Sequence, residues 1–478
     1  MTHQDEQKIL FKNYLETHVL SNWKYGVKEY KGNPNDLRQK ENFISTASGF
    51  GTPLELIISK VCNTKCSYCY YKNFGELLYP KELEDRNLIL ENCEKLLKWV
   101  NLNDYHPANI DIFSGEFFNL PYYKDIIDLI VKYVKPVNAS TPVYISIPSN
   151  CTFCFSDEKT AEIQELVDTY NKKDSQYRIG VSMSIDGKYL DNDTRALRNG
   201  KKYDDEYYDR AFKFAAKNNF AFHPMLGAKG MDRWIDNWEW YISNIVKYFE
   251  CDEIEAFKRI YLLEVRNPDW TPREMQFLDD FITHYTQRAF ELCHRNTRMF
   301  ADVFLHGHGG NLYSEVASSI PRGLGCSIQS NLGVRLGDLA IPLCHRTSYD
   351  GYIAGRLKLD GASWDVELEN PNVWMLVNSF HSSNTVKCCD CPISEICNKF
   401  CIGCNFEVNK DFFVPVDTVC DMELVKTISL IRNLDNIGVL DLLIRTLEGD
   451  AGSNRLRAQQ IKAMKAFIKS QDKENIRK

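Results

Sequence analysis

Hydrophobic and polar positions alternate along the first three hundred residues in a pattern that predicts regular strand–helix repeats. Short apolar runs that predict strands are separated by segments in which apolar residues recur at helical spacing, most clearly at 87–100, 123–134 and 207–217. Strands joined by helices pair in parallel, so the pattern predicts an α/β fold with a parallel sheet. Functional side chains are then expected at the carboxyl ends of the strands. Six short apolar, β-branched runs predict the strands: 54–61, 110–113, 143–147, 179–185, 220–226 and 260–265.

The pattern changes near residue 305 and again after residue 420. Short strands, glycine turns and most of the remaining cysteines replace the repeats, and amphipathic helix returns near the end of the chain. We therefore predict four parts: an N-terminal extension at 1–50, the repeats at 51–305, a cysteine-rich segment at 306–420 and C-terminal helices at 421–478.

Composition narrows the class of protein. The chain has 478 residues, 44% of them hydrophobic, which is enough for more than one structural unit. A net charge of −7 argues against a nucleic-acid partner, and no apolar run is long enough for a membrane span. The N-terminus lacks the layout of a signal peptide, so a cytoplasmic location is expected. In that reducing compartment, 17 cysteines indicate metal or cluster binding more than disulfides.

Three cysteines directly follow the first predicted strand. Cys62, Cys66 and Cys69 have the spacing C-x3-C-x2-C. Three thiolates can hold three corners of a four-iron cluster and leave the fourth iron open to a small molecule. A structural zinc site is the alternative, but it needs four nitrogen or sulfur ligands, and no fourth Cys or His lies nearby in sequence.

With Tyr68 before the third cysteine, this motif resembles that of the radical S-adenosylmethionine (SAM) enzymes. The resemblance implies a partial (β/α)6 TIM-like barrel and a catalytic [4Fe-4S] cluster whose open iron binds SAM. It also implies that one electron cleaves SAM, and that the resulting 5′-deoxyadenosyl radical takes a hydrogen atom from the substrate. An electron donor such as flavodoxin or ferredoxin would be a partner.

Further matches to this family occur at successive strand ends. Ser114, Gly115 and Glu116 stand where the family usually has Gly-Gly-Glu, and Asn150 ends the third strand. The fourth strand leads into a stretch similar to Ser-x-Asp-Gly…Asp-x-x-Arg, which contains Ser184 and Arg195. The resemblance implies that these residues, together with Tyr68, contact SAM, with Arg195 near an anionic group.

Seven of the cysteines between residues 326 and 420 resemble those of the SPASM domain, which carries two auxiliary [4Fe-4S] clusters. The resemblance assigns the distal cluster to Cys388, Cys391, Cys397 and Cys420. It assigns Cys326, Cys344 and Cys401 to the cluster nearer the active site. The usual fourth cysteine is missing, and Cys404, Cys389 or Cys293 could substitute for it, or that cluster keeps an open iron. From spacing alone, structural zinc fits these pairs as well.

The resemblance implies a peptide maturase related to the anaerobic sulfatase-maturating enzymes. Its product would be a thioether or carbon–carbon crosslink, a dehydrogenated residue or an epimer in a peptide or protein. One alternative is formation of formylglycine in a sulfatase, and another is a non-catalytic zinc-binding interaction protein. Asp186, Glu264 and Asp269 are candidate bases. Cys151 and Cys154 are candidates for a redox or substrate role because they follow the third strand.

Overall fold

In the part of the chain that the structure describes, ten β-strands are arranged in one large sheet and one small sheet. In chain order they are β1 (Leu54–Ser59), β2 (Asn109–Ser114), β3 (Val143–Ser149), β4 (Tyr177–Met183), β5 (Met225–Leu226), β6 (Leu263–Glu264), β7 (Leu332–Arg335), β8 (Ala340–Ile341), β9 (Gly355–Asp360) and β10 (Ser363–Leu368). The computed structural model describes residues 3–24, 53–70, 85–107, 109–138, 141–305, 312–317, 332–342, 345–348, 351–370, 385–397, 401–449 and 453–476.

The large sheet has the order β10-β9-β8-β7-β1-β2-β3-β4, and β5 pairs with β6. Strands β1 to β4 pair in parallel, as do β1 and β7, whereas β7 to β10 form antiparallel pairs. The α/β prediction with a parallel sheet is therefore confirmed.

The fifth and sixth predicted strands continue the parallel series beyond β4. Met183 at the end of β4 bridges Phe222 in parallel, and Phe222 bridges Ile260 in parallel. Strands β5 and β6 then pair in the same direction. The six strands therefore follow one another in chain order, as a partial (β/α)6 barrel requires.

Helices fill the connections and cover the outer face of the sheet. They are α1 (His3–Tyr14), α2 (Ser21–Lys24), α3 (Arg86–Leu102), α4 (Tyr123–Tyr133), α5 (Asp157–Tyr170), α6 (Asp191–Thr194), α7 (Asp205–Asn218), α8 (Trp234–Phe249), α9 (Glu253–Lys258), α10 (Pro272–Leu292), α11 (Thr297–Phe300), α12 (Ser314–Ala317), α13 (Val386–Cys389), α14 (Ile402–Asn409), α15 (Asp417–Asn436), α16 (Leu440–Gly449) and α17 (Ser453–Ile476). None of these described helices combines the length and apolarity that a membrane crossing needs.

All six residues of β1 are buried, because both faces of the sheet are covered here. Leu54, Leu56 and Ile58 join the hydrophobic core formed with the surrounding helices. By strand alternation Glu55 and Ser59 point to the opposite face, the barrel interior. The interior near β1 therefore carries two polar side chains beside Ile57, while the outer face contributes to the hydrophobic core.

The cysteine-rich part of the sequence adds to the barrel sheet. Strand β7 pairs with the free side of β1, and the antiparallel strands β8 to β10 extend the sheet from there. The N-terminal helix α1 packs on this extension, since Lys8 pairs with Asp365 at 2.5 Å and the Lys12 ammonium lies 4.9 Å from the ring centre of Trp364. The first helix therefore lies against β10.

The C-terminal helical stretch differs in detail from the sequence pattern. The amphipathic stretch at 421–447 is two helices, α15 and α16, separated by Gly438 in a left-handed conformation with φ of 76°. Helix α15 begins at Asp417, so the predicted limit after residue 420 falls inside a helix.

Candidate active site at the strand ends

The three-cysteine loop begins just after β1. The Thr64 hydroxyl lies 3.2 Å from the Cys62 sulfur and 3.4 Å from the Cys66 sulfur. The Cys69 amide donates to the Cys66 carbonyl at 3.2 Å and closes a turn. One buried hydroxyl therefore contacts two of the three predicted ligand sulfurs, and a turn links the third cysteine to them.

The end of β2 holds this loop in place. The Gly115 amide donates to the Ser59 carbonyl at 2.7 Å, and the Glu116 amide donates to the Val61 carbonyl at 2.9 Å. A Cβ atom on Gly115 would lie 2.4 Å from the Val61 carbonyl oxygen. Only glycine permits this close approach of the two backbones. Ser114 also contacts the loop, since its hydroxyl donates to the Ser59 carbonyl at 3.1 Å.

The Glu116 carboxylate ties β2 to the end of β3. It accepts hydrogen bonds from the Ser149 hydroxyl at 2.8 Å and from the Asn150 amide at 2.6 Å. Burial raises the pKa of Glu116 to about 7, although these hydrogen bonds oppose the shift. The Asn150 side-chain amide reaches Asn63 Oδ1 at 2.9 Å and lies 3.8 Å from the Cys62 sulfur. Two of the predicted SAM-binding residues therefore adjoin the cysteine loop.

The fourth strand end is organised around Asp186, which is fully buried. Its carboxylate accepts hydrogen bonds from the Tyr68 hydroxyl at 2.8 Å, the Thr194 hydroxyl at 2.7 Å and the Met225 amide at 3.0 Å. The Arg195 guanidinium lies 3.5 Å away from it. Both oxygens of this candidate base are therefore engaged by neighbouring groups.

Arg195 and Tyr68 contact each other at the same place. An Arg195 Nη1 donates to the Tyr68 hydroxyl. Burial raises the pKa of Tyr68, and the positive charge of Arg195 opposes that shift without reversing it, so the phenol stays protonated. Arg195 Nε is buried without a hydrogen-bond partner in the described part of the chain. Ser184 lies at this strand end too, where its amide donates to the Ser149 carbonyl at 2.8 Å. The residues that are predicted to contact SAM therefore lie at the carboxyl ends of the strands, and among the described residues Arg195 Nε has no hydrogen-bond partner there.

Glu264, the second candidate base, has an ion-pair partner that the sequence pattern did not indicate. The Lys426 ammonium, on α15, lies 2.9 Å from Glu264 and 2.8 Å from Glu423. The Lys426 side chain is only 1% exposed. The third candidate, Asp269, is exposed and accepts a hydrogen bond from Asn267 at 2.7 Å.

Cys151 and Cys154 are completely buried next to β3. Cys151 has a left-handed backbone with φ of 55°, which is unusual for a residue with a side chain. Burial raises the pKa of both thiols, so both are held as neutral thiols in this environment.

The barrel interior beside the loop carries a second group of polar residues. Glu55 on β1 lies opposite Asp111 on β2, and its Oε1 is 3.4 Å from Nδ1 of His345. Burial and the charge of Glu55 raise the pKa of Asp111 to about 6. The His345 ring stacks on Phe113 with 3.9 Å between ring centres. Periodicity did not indicate this cluster, because Glu55 sits inside an otherwise apolar strand.

A cavity of about 310 Å³ lies between α13, α14 and α15. Burial raises the pKa of Cys420 to about 11; Lys387 opposes the shift, and Cys388 and Cys391 add to it. The cavity therefore brings together the four cysteines assigned by resemblance to the distal cluster. Among the described residues, six cysteines line it: Cys388, Cys391, Cys397, Cys401, Cys404 and Cys420.

Cys401 is the N-cap residue of α14 and faces two arginines. Burial raises the pKa of this thiol, but the positive charges of Arg346 and Arg266 outweigh burial, and the net pKa is lowered. Cys404 lies one helical turn later and its thiol is 3.3 Å from the Arg266 carbonyl. Of the three proposed substitutes for the missing ligand, Cys404 is therefore beside Cys401. Cys389 is exposed on α13, and Cys293 is buried at the end of α10.

Cys326 and Cys344 lie outside the described residues. No disulfide links any two cysteines that the structure describes. Across the described ranges, no three His, Cys, Asp or Glu side chains converge as the ligands of one metal ion would. The thiol-rich cavity and the three-cysteine loop nevertheless supply the soft ligands that iron–sulfur clusters use.

Comparison with known proteins relates this arrangement to solved structures. No protein-family model and no curated protein sequence matches the chain. The structure of anSMEcpe, an anaerobic sulfatase-maturating enzyme with bound AdoMet, superimposes with a TM-score of 0.53. The two sequences are 15% identical over 85% of this chain and 98% of that one. The chain has the radical SAM/SPASM fold.

Two other solved structures are similar to this chain. A structure of anSMEcpe with bound AdoMet and a peptide has a TM-score of 0.52 and 15% identity, over 81% of this chain and 99% of that one. Streptococcus suis SuiB bound to its precursor peptide SuiA has a TM-score of 0.42 and 14% identity, over 87% of this chain and 89% of that one. In this fold the three-cysteine loop and its polar neighbours occupy the carboxyl ends of the barrel strands.

Proposed function

We propose that this chain is a radical SAM enzyme that removes a hydrogen atom from a peptide or protein substrate and thereby installs a modification. The observation that carries the proposal is the placing of Cys62, Cys66 and Cys69 at the carboxyl end of β1 beside the ends of β2, β3 and β4. Similar solved structures of anSMEcpe carry AdoMet, and two of them also carry a peptide, which supports the same assignment.

In this proposal Cys62, Cys66 and Cys69 ligate a [4Fe-4S] cluster. The cluster, when bound with SAM, supplies one-electron cleavage of SAM and hydrogen abstraction. The Glu116 carboxylate fixes the ends of β2 and β3 against the cysteine loop, and Arg195 Nε is a buried donor suited to an anionic group such as a carboxylate. Tyr68, Ser114, Gly115, Asn150 and Ser184 complete the proposed SAM-binding surface.

We assign the auxiliary clusters to the cysteine-rich part of the chain. Cys388, Cys391, Cys397 and Cys420 line one cavity and would hold the distal cluster. Cys401 would serve the second cluster with Cys326 and Cys344, and Cys404 is the best placed substitute for its missing fourth ligand. The donor for the first electron would be a small redox protein such as flavodoxin or ferredoxin.

Formation of formylglycine in a sulfatase is the second candidate, favoured by the likeness to anSMEcpe. That reaction needs a base near the substrate serine or cysteine. Asp186 accepts several hydrogen bonds, and Glu264 is paired with Lys426. A crosslink and a dehydrogenation also release a proton from the substrate, whereas an epimerisation does not. Conversion of cysteine to formylglycine replaces sulfur by oxygen with loss of two hydrogens, whereas conversion of serine, a crosslink and a dehydrogenation each remove two hydrogens and an epimerisation leaves the mass unchanged. Mass alone therefore does not separate serine-derived formylglycine from a crosslink, but labelling with a carbonyl-reactive hydrazide does. We propose tandem mass spectrometry, with and without this label, of candidate peptides encoded beside the gene.

The first test is anaerobic purification and reconstitution. We expect a brown protein that contains iron and sulfide and releases 5′-deoxyadenosine from SAM when a low-potential reductant is present. The triple Cys62/Cys66/Cys69→Ala variant should release none and retain part of the iron. Cys251→Ala is the matched control, because Cys251 lies between α8 and α9, away from both cysteine groups. A colourless protein that binds zinc instead would support a non-catalytic zinc scaffold and contradict the proposal.

A further inference from the structure

Arg346 lies between the two cysteine groups. One of its Nη atoms is 3.7 Å from the Cys401 sulfur, in the cysteine cavity. Its guanidinium carbon is 5.7 Å from the ring centre of Tyr70, the residue after Cys69. A second Nη donates to the Arg266 carbonyl at 3.1 Å, just beyond β6. The Arg346 guanidinium therefore contacts the barrel, the three-cysteine loop and the start of α14.

Glu407 holds this guanidinium in position. Arg346 donates through Nε and Nη2 to the two Glu407 oxygens in a bidentate pair. The Glu407 side chain is 1% exposed and that of Arg346 is 16% exposed. A Cβ atom on Gly403 would lie 3.0 Å from Cδ of Arg346, so the helix leaves room for the arginine stem. The remaining Nη1 is the part of the guanidinium that faces Cys401.

We propose that Arg346 raises the reduction potential of the iron–sulfur cluster that Cys401 ligates, and that Glu407 limits this effect. The inference rests on the proposed function, because it requires a cluster at Cys401. Arg346 would be a positioning residue that acts through a cluster ligand without touching the reacting atoms.

The physical reason is the change of charge on reduction. A [4Fe-4S] cluster in the 2+ state takes up one electron from the reductant and becomes 1+, with no proton transferred. A nearby cation stabilises the more negative state, and hydrogen bonds to ligand sulfurs act in the same direction. A buried carboxylate destabilises that state. Removing the Arg346 charge and removing the Glu407 charge should therefore shift the potential in opposite directions.

The experiment is a potentiometric titration of the reconstituted full-length enzyme, followed by electron paramagnetic resonance. Loss of one signal in Cys401→Ala identifies the relevant cluster. We expect Arg346→Gln to lower the equilibrium constant for reduction of this cluster at least tenfold, which is a fall in potential of about 59 mV for a one-electron couple. Glu407→Gln should raise it, and Arg346→Lys should stay near wild type. Arg288→Gln, which breaks an Arg–Glu pair between α9 and α10, is the matched control and should change nothing.

The outcomes separate the inference from the proposed function. A protein without iron contradicts the proposed function itself. A protein with iron whose Cys401-dependent signal has the same potential in Arg346→Gln and wild type overturns the inference. Shifts of the same sign in Arg346→Gln and Glu407→Gln also overturn it, because they would reflect structural damage. If Arg346→Gln alone fails to fold, the Arg346→Gln/Glu407→Gln double variant must still have a lower potential than Glu407→Gln, and equal potentials overturn the inference.

Discussion

Replacing Lys426 with methionine is expected to weaken the contact between β6 and α15. The Lys426 ammonium is shared by Glu264 and Glu423, whose side chains are 2% and 3% exposed. Glu423 Oε1 has no hydrogen-bond partner among the described residues, so this carboxylate depends strongly on the ammonium. Without Lys426, these two buried carboxylates lose the ammonium that contacts both of them, and the more distant charge of Arg266 remains.

The cost can be worked out from the burial of the three groups. Removing one partner of a buried ion pair typically costs about 3–5 kcal/mol, because the other charge stays behind in the interior. Methionine keeps most of the lysine stem, so the packing contribution is small. A chain of 478 residues has an unfolding entropy of about 1 kcal/mol per degree. If the molecule unfolds as one unit, the Tm should fall by about 3–5 °C.

Differential scanning calorimetry of the anaerobically reconstituted protein measures this change. Glu264→Gln leaves Lys426 paired with Glu423, so its Tm should stay within about 2 °C of wild type. Lys469→Met is the matched control, because Lys469 is 55% exposed and its pairing with Asp435 at 3.1 Å contributes little. If Lys426→Met has the same Tm as wild type, or if Glu264→Gln lowers the Tm as much as Lys426→Met does, the balance of buried charge is not what stabilises this contact.

Three further changes test the loop and its neighbours. Gly115→Ala places a Cβ 2.4 Å from the Val61 carbonyl and should lower the iron bound after reconstitution, whereas Gly449→Ala, which has open space around it, should not. Burial raises the pKa of Glu116 to about 7 from an ordinary 4.5, so the folded state holds a proton that the unfolded state has lost, and stability falls as pH rises from about 4.5 to 7. Glu116→Gln should therefore flatten the dependence of Tm on pH across that window, and an unchanged slope would contradict the assignment. Thr64→Val removes a hydroxyl that contacts two cysteine sulfurs, so the catalytic cluster should become harder to reduce in a potentiometric titration, and Thr64→Ser should restore its potential.

The sequence predicted the order and direction of the strands better than their lengths. Strand β1 and strand β3 begin at the predicted residues, Leu54 and Val143. The fifth and sixth strands are reduced to two residues each, with single bridges at Phe222 and Ile260. An apolar run reports burial, whereas strand length depends on hydrogen bonding to a neighbour that the run does not encode.

Positions in the site were predictable, but their partners were not. Glu116 and Asn150 were expected near the cysteine loop because parallel strands end at one edge, and both lie there. The contacts of Arg195 with Asp186 and Tyr68 join a strand end, a short helix and the loop. Such contacts depend on side-chain directions in three dimensions, which spacing along the chain does not specify.

Lys426 and Arg346 were missed for a related reason. A helix face reveals its apolar residues through periodicity, and a lysine within it is normally assigned to solvent. Lys426 is buried because Glu264 and Glu423 surround it. Glu423 lies three residues before Lys426, a spacing that allows an ion pair on a helix. This spacing is only a weak signal of a buried pair, because it is common on exposed helices as well.

The place of β1 in the sheet has a consequence for biosynthesis. Strand β1 pairs with β2 on one side and with β7 on the other. The ribosome synthesises β2 soon after β1, but it synthesises β7 only after the entire barrel. While the nascent chain emerges, one edge of the central strand therefore remains without its backbone partner, and such edges invite association with other chains. A ribosome-bound or truncated product that stops before Leu332 should be prone to aggregate, and co-expressed chaperones would be expected to improve the yield of the complete protein.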